Sequence, residues 1–415
     1  MTAPDRPYSS TDVSSTAFWA TPAAEREESF AMLRTSEPVS WQRPADGGLM
    51  PLEDDDGFWA IARHADITHV SHHPELFCSG RGVQLENIPE MFLEATQSFL
   101  AMDAPRHTSL RKLVSSAFTP KRVRTIDDQI KAQARRIVDD LLDTGDCDFV
   151  QQVSMRLPMW TIYEMMGLPV DQQKAVAQAA DLIVSSNDAD VRGDRDPLEI
   201  IGEATQTLIV AGLGLARNRR QAPTDDLMTS LVQADVDGET LSDEEISAFF
   251  VLLSVAGNDT TRNTISHAVK ALQDFPDQRS WLLDDFDARI MTATDEFVRW
   301  ASPVLSFKRT VLEDTAINGV DVAKGEKVVM FYPSGNRDEL VFENPNTLDL
   351  SRTPNKHVGF GGGGPHFCMG ANLAKTQLRA IIGEVLHRVP ELQVGEPDYL
   401  VSNFVHGVKS MPCTI

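Results

Sequence analysis

The sequence predicts a fold that is mainly α with small β-sheets (α+β), an α-rich part joined to a smaller β-rich part. Apolar residues recur at three- and four-residue steps through most of 105–290, the period of helices with one buried face. Short β-rich runs gather instead in the first hundred residues and again at 307–333. No Gly/Ser-rich linker, repeat or low-complexity run divides the 415 residues. One domain over 1–415 is therefore expected, with about the first 20 residues as an irregular tail.

The elements follow in order. FWAIAR (58–63) alternates like a strand, and HADITHVSHHPELF (64–77) reads as helix and turn. A helix opens near Pro105, since proline suits a first helical turn. In 123–142, Ile126, Ile130, Ile137 and Leu141 fall on one face. The polar stretch 185–200 contains Gly and Pro and reads as a loop. Ser242 and Glu245 have capping-box spacing and open a long helix running to about Leu272. Two β-rich runs with hairpin-like turns occupy 307–333, and a polar meander (334–358) leads into GFGGGGPHFCMGANLA (359–374). Leu378, Ile381, Ile382, Val385, Leu386 and Val389 then mark a helix ending before Pro390.

Composition excludes several functions. A net charge of −23 argues against nucleic acid as a partner, because phosphates require a basic face. It argues equally against an anionic membrane surface. The four cysteines show no CxxC spacing, so neither a disulfide framework nor a zinc site is expected. The N-terminus, MTAPDRPYSSTDVSS, lacks an apolar signal core, and FFVLLSVAG (249–257) is too short to cross a bilayer. A cytoplasmic protein with no membrane span is expected.

The glycine-rich loop poses the chemical question. It matches neither GxxxxGK[ST] nor GxGxxG, so it is not a phosphate cradle. His366 is two residues from Cys368, badly placed to serve as a base for a nucleophilic thiol. A lone cysteine more often simply packs as a small apolar residue. Here, however, glycines would let backbone N–H groups approach the sulfur, and the following helix N-terminus favours an anion. Both features stabilise a thiolate. With no second soft ligand nearby, that thiolate suits a metal whose other ligands come from elsewhere, as in haem.

A second constellation interrupts the long helix. AGNDTTRN (256–263) places Gly257, an acid and two threonines in an apolar helix centre. Threonines back-bonding to the preceding turn, or a solvated polar face, would explain the pattern without function. Yet such local violations tend to mark working sites, and an acid beside an alcohol can relay protons. Two weaker patterns accompany it. Glu296 and Arg299 are three apart on a helix, a spacing common in surface ion pairs. His107 and Arg111, four apart in MDAPRHTSLR, share a helix face and could equally be solvated.

Taken together, these segments resemble the cytochrome P450 family. Its haem loop is written F-G-x-G-x-[HR]-x-C-x-G, and Phe360, Gly361, Gly364, His366, Cys368 and Gly370 supply those parts. One departure is that Phe360 lies eight residues before the cysteine, where the general pattern has seven. That surplus glycine, with PHFCMGANLA, resembles an actinobacterial subgroup oxidising steroid side chains and methyl-branched lipids. The resemblance implies a P450 fold carrying haem b, with Cys368 as the iron ligand. It makes Asp259 and Thr260 the acid–alcohol pair that delivers protons to dioxygen, with Ala256 and Gly257 lining a helix kink. It assigns His107, Arg111, Arg309 and His366 to the haem propionates. Glu296, Arg299 and Arg352 become a buried structural triad.

The same resemblance lines the substrate pocket with Val83, Leu85, Ile88, Met91, Phe92 and Leu93, with Val255, and with Val304, Leu305 and Phe307. These are apolar, so a hydrophobic substrate is implied. The expected reaction inserts one oxygen atom of O2 into a C–H bond, favouring terminal hydroxylation of a methyl-branched lipid or steroid side chain. Oxidation of a terpenoid or polyketide is the alternative. A haem-thiolate binder or isomerase that never activates oxygen is the rival class, and Asp259 with Thr260 counts against it. The chain has no flavin or iron–sulfur segment, so electrons are expected from a separate ferredoxin and ferredoxin reductase. Arg106, Arg111, Lys112, Lys121, Arg122, Lys356, Lys375 and Arg379 cluster in sequence around the haem segments as a possible basic docking patch.

Overall fold

The computed structural model describes residues 6–46, 55–86, 98–115, 118, 120–236 and 238–415. Eleven helices of nine or more residues occur among them: α1 (Ala23–Ser36), α2 (His64–His72), α3 (Arg106–Ser115), α4 (Pro120–Thr144), α5 (Arg156–Met166), α6 (Val170–Ser185), α7 (Pro197–Gln221), α8 (Asp243–Asp274), α9 (Pro276–Asp284), α10 (Phe286–Ala301) and α11 (Ala371–Arg388). The strands used below are β1 (Val39–Gln42), β2 (Phe58–Ile61), β3 (Phe77–Cys78), β4 (Cys147–Asp148), β5 (Ser306–Val311), β6 (Lys327–Phe331), β7 (Gln393–Val394) and β8 (Pro412–Thr414).

The β-rich part is a five-stranded sheet, β1-β2-β6-β5-β3, in which β2 and β6 pair in parallel and the other neighbours run antiparallel. Its strands read as continuous buried runs because both faces are covered. One face packs Trp59, Ile61, Val328 and Met330 with Ile67 and Val70 of α2; the other packs Phe58, Val329 and Phe331 with Trp19, Phe30 and Leu33. The expected N-terminal tail is not loose where described. Ser9 N–H donates to Trp41 O at 2.7 Å, and Val13 and Trp19 are buried in that second cluster.

The helical part has one large core built around α8. The capping box is made in full: the Ser242 hydroxyl accepts from Glu245 N–H, and Glu245 Oε2 accepts from Ser242 N–H. Twenty of the helix's 32 residues are buried, including Phe250, Ile265 and Ala268, so tertiary packing holds it. Its neighbours are α5, α6, α7, α10 and α11. Among the described residues one helix, α7, is long and apolar enough to cross a membrane by composition, which the reading of 249–257 overlooked. It packs along α6 and α8 as a bundle member, with Leu208, Leu215 and Ala216 buried.

The segment 185–200, read as a loop, contains a one-turn helix, Ala189–Arg192, which Asp188 caps by accepting from Asp190 N–H. A small sheet, β7-β8-β4, ties the end of α4 and the segment after α11 to the C-terminus. Glu296, Arg299 and Arg352 meet beneath α10. Glu296 Oε1 accepts from Arg299 Nη2 at 2.7 Å, and Oε2 accepts from Arg299 Nε at 2.8 Å and Arg352 Nε at 3.2 Å. Arg299 also donates to Asn336 O and Pro345 O, which docks the meander onto the helix.

Candidate active site

The loop 359–370 lies between α2 and α11, and two of its glycines serve the contact with α2 and not the sulfur. A Cβ on Gly363 would stand 2.3 Å from His72 Nε2, and one on Gly364 would stand 2.0 Å from Ser71 O. Both residues have positive φ (94° and 68°), so only glycine lets this stretch lie flat on α2. The loop then closes on itself. Phe367 N–H donates to Gly364 O at 3.2 Å, and Cys368 N–H donates to Phe360 O at 2.9 Å. Phe360 thus reaches the cysteine despite the surplus residue.

The amides aimed at Cys368 Sγ belong to Gly370 and Ala371, at the start of α11. Burial pushes the thiol up, while these two amides and the Arg111 guanidinium pull it down. Cys368 nevertheless keeps exposed surface, and so does Ala256 in the middle of α8. Both face a common cavity. Mostly apolar walls surround it, with Cys368 on one side and Val255, Ala256, Gly257 and Thr260 on the other.

Four basic side chains gather at one edge of the cavity. His107 and His366 have ring centroids 4.2 Å apart, and Arg111 and Arg309 both line the space. Arg111 Nη2 donates to Phe367 O, and Arg309 Nη1 to Lys308 O at 2.8 Å; among the described residues neither pairs with a carboxylate. His366 Nε2 lies 3.1 Å from Ser79 Oγ, and Asp103 steadies that turn by accepting from Ser79 and Gly80 N–H. Burial, then Arg309, His107 and Arg111, push the His366 imidazole down to about 3. Burial and the same guanidinium neighbours lower His107, whose Nε2 has no hydrogen-bond partner among the described residues.

On the opposite wall Ala256 and Gly257 lie within the continuous helix α8. Thr260 Oγ1 donates back to Ala256 O at 2.9 Å, and glycine at 257 lets Ile162 of α5 pack closely; a Cβ would stand 2.5 Å from Ile162 Cδ1. Asp259 is buried. Arg262 Nη2 lies 3.0 Å from its Oδ1, yet off-line for a hydrogen bond, and among the described residues neither carboxylate oxygen has a hydrogen-bond partner. Burial pushes this carboxyl up to about 7 against the pull of Arg262. Arg262 is shared with Asp181 of α6.

Comparison with known proteins identifies the arrangement. The cytochrome P450 family pattern matches residues 289–390. A methyl-branched lipid omega-hydroxylase of Mycobacterium tuberculosis is 39% identical over 99% of this chain and 96% of its own length. The chain belongs to the cytochrome P450 family. A steroid C26-monooxygenase of Mycolicibacterium smegmatis is 40% identical over 92% of this P450 and 88% of that enzyme. A Mycobacterium marinum cytochrome P450 solved in complex with pseudoionone superposes with a TM-score of 0.97, at 54% identity and 100% coverage of both chains. Membership makes this P450 a haem-dependent monooxygenase.

The residues present fit a haem. His107 and Arg309 are buried, with Arg111 and His366 half-buried beside them; among the described residues no carboxylate makes an ion pair with either guanidinium, and two carboxylates at the cavity edge would balance them. Cys368 faces the cavity from one wall and Ala256, a small side chain, from the other, which leaves room for a flat group between.

Of the pocket residues expected from sequence, Val255, Val304 and Phe307 line the cavity. Val83, Leu85 and Leu305 do not: all three are buried elsewhere, Leu85 and Leu305 in the sheet cluster beside Phe331, and Val83 O accepts from Lys308 N–H at 2.7 Å. Ile88, Met91, Phe92 and Leu93 lie outside the described residues. Sequence reading missed Phe99, Phe118, Val184, Phe404 and Val405, which also line the cavity. Phe404 and Val405 arrive from the C-terminus through a bridge pairing Val405 with Val304. Such long-range pairing within the chain is invisible in a local reading of the sequence.

Proposed function

We propose that this P450 carries haem b on Cys368 and hydroxylates an unactivated, terminal carbon of a methyl-branched lipid or a steroid side chain. The single observation behind this reading is the apolar cavity that runs from Cys368 past Thr260 between phenylalanines. An aliphatic chain enters such a space for its hydrophobic gain, and nothing there anchors an anionic head near Thr260. The names of the two mycobacterial relatives agree with that substrate class. Terpenoid oxidation is the second reading, favoured by the pseudoionone complex of the 54% identical P450.

Haem, when bound, supplies the oxygen activation, drawing electrons from a ferredoxin and its reductase. The chain's own residues do the rest. Arg111, Arg309, His107 and His366 hold the propionates. Phe307, Phe404 and Val304 exclude water and hold the substrate chain on the Thr260 side of the cavity. Thr260 donates its hydroxyl proton to Ala256 O, leaving its lone pairs to accept from the cavity. Asp259, poised near neutral pH, holds and releases the proton that the relay consumes.

For electron delivery, Lys112, Lys121 and Lys356 are exposed and make no ion pair among the described residues, so they form the docking patch for an acidic ferredoxin. Arg106, Lys375 and Arg379 drop out because Glu245, Asp295 and Asp127 neutralise them. The Arg122 side chain lies outside the described residues. The protein works as one catalytic unit in the cytoplasm.

The decisive test titrates the purified haem protein with a steroid, a methyl-branched fatty acid and pseudoionone while following the haem absorption band. A saturating shift with the first two and terminally hydroxylated product support the lipid reading. A shift with pseudoionone alone supports the terpenoid reading. Cys368→Ser should remove the thiolate signature from the carbon-monoxide difference spectrum of the reduced protein.

A further inference from the structure

Far along the chain from the haem site, two cysteines face each other across an antiparallel strand pair. Cys147 on β4 is the direct register partner of Cys413 on β8, and their Sγ atoms lie 3.4 Å apart. Directly opposed residues in such a pair have Cα atoms about 4.5–5.5 Å apart. That falls inside the span a disulfide accepts, and the bond itself needs the sulfurs at about 2.05 Å. A small side-chain rotation closes the difference without moving either strand. Cys413 is buried, while Cys147 is half-exposed and is the sulfur a solvent oxidant meets first.

We infer that Cys147 and Cys413 form an oxidisable dithiol whose disulfide staples the C-terminal strand to the end of α4. With oxidised glutathione as oxidant, the Cys147 thiolate attacks one glutathione sulfur and expels a glutathione thiolate. Cys413 then gives up its proton, and its sulfur displaces the second glutathione from Cys147. Two protein thiols are oxidised, and one glutathione disulfide is reduced to two thiols.

The staple falls where it matters for the cavity. The segment just before β8 supplies Phe404 and Val405 to the cavity wall, and Val408 N–H donates to Asn263 Oδ1 of α8 at 3.0 Å. Holding β8 therefore restrains the C-terminal end of the segment that carries the substrate wall, with the strand Val408–Ser410 between the two. In a reducing compartment such pairs stay as thiols until oxidant rises, the behaviour of a sensor and not of a permanent staple.

The test equilibrates the haem protein in glutathione buffers of graded poise, quenches in acid, unfolds it and counts alkylatable thiols. The expected result is a fall from the four free cysteines to two. A peptide pair joining Cys147 to Cys413, two hydrogens lighter than the free peptides, should appear in step. Slower amide exchange across 408–414 and a higher Tm should accompany it, and Cys147→Ser should abolish all of these changes. Should Cys147→Ser fail to fold, the peptide map of the wild type and Cys413→Ala decide the matter. Four thiols at every poise, a link through Cys78 or Cys368, or a stable glutathione adduct on Cys147 would each overturn the inference.

Discussion

The Cys368 N–H donates to the Phe360 carbonyl at 2.9 Å, which closes the loop around its surplus glycine and keeps Phe360 against the cysteine turn. The slack is taken up on α2, where Gly363 and Gly364 lie in backbone conformations that a side chain resists. Gly364→Ala should therefore lower stability by about 1–3 kcal/mol, the usual cost of overpacking. A lowered Tm with the thiolate spectrum retained is the expected pattern; an unchanged Tm would show that the loop does not need α2.

Arg309 is a buried cation that donates to the neighbouring Lys308 carbonyl and, among the described residues, makes no ion pair. Arg309→Met should raise the Tm of the haem-free protein, because burying an unpaired charge is costly. In the loaded protein the same change should speed haem loss to apomyoglobin. Opposite signs in the two states are the expected result, and destabilisation of both would assign Arg309 to the fold alone.

Asp259 gives a pH dependence of defined sign. Its carboxyl is pushed up to about 7 in the fold, against about 3.9 in an unfolded chain. The folded protein thus holds a proton that the unfolded chain has released. The contribution to stability is full below pH ~4 and is lost as pH rises through about 7. Asp259→Asn removes that slope, so the Tm difference between variant and wild type should widen from pH 5 to pH 7.5 and then level.

Catalysis should respond at the same pair. Asp259→Asn should cut turnover by on the order of 10²-fold. Thr260→Ala should leave electron consumption nearly intact while product falls. Unchanged coupling in Thr260→Ala would favour a haem-thiolate protein without oxygen activation, or a proton route through another residue.

Glu296 holds two arginines at once, Arg299 and Arg352, with Asn355 Nδ2 donating at 2.9 Å as well. Glu296→Gln leaves buried guanidiniums underpaired and should cost about 3–5 kcal/mol. Loss of soluble haem protein at 37 °C is expected, with partial recovery at low temperature; wild-type yield and Tm would contradict the triad's structural role.

Sequence alone determined the chemistry-bearing segments, because each is local. The capping box, the Gly–Asn–Asp–Thr stretch of α8, the Glu296/Arg299 spacing and the cysteine ahead of α11 are set by steps of a few residues, which chain geometry makes readable. Tertiary structure decided what those residues face. Gly370 turns its amide to the sulfur as expected, whereas Gly363 and Gly364 serve α2, since only a packed neighbour reveals a close approach. Leu85 and Leu305 are as apolar as true cavity residues, and only the sheet's second face shows where their side chains go. Phe404 reaches the cavity across a hundred residues of chain. The pairing of Cys147 with Cys413 rests on strand register, which separates two residues 266 apart in sequence by 3.4 Å between sulfurs. Burial and long-range pairing are collective results of folding, so no short stretch of sequence encodes them.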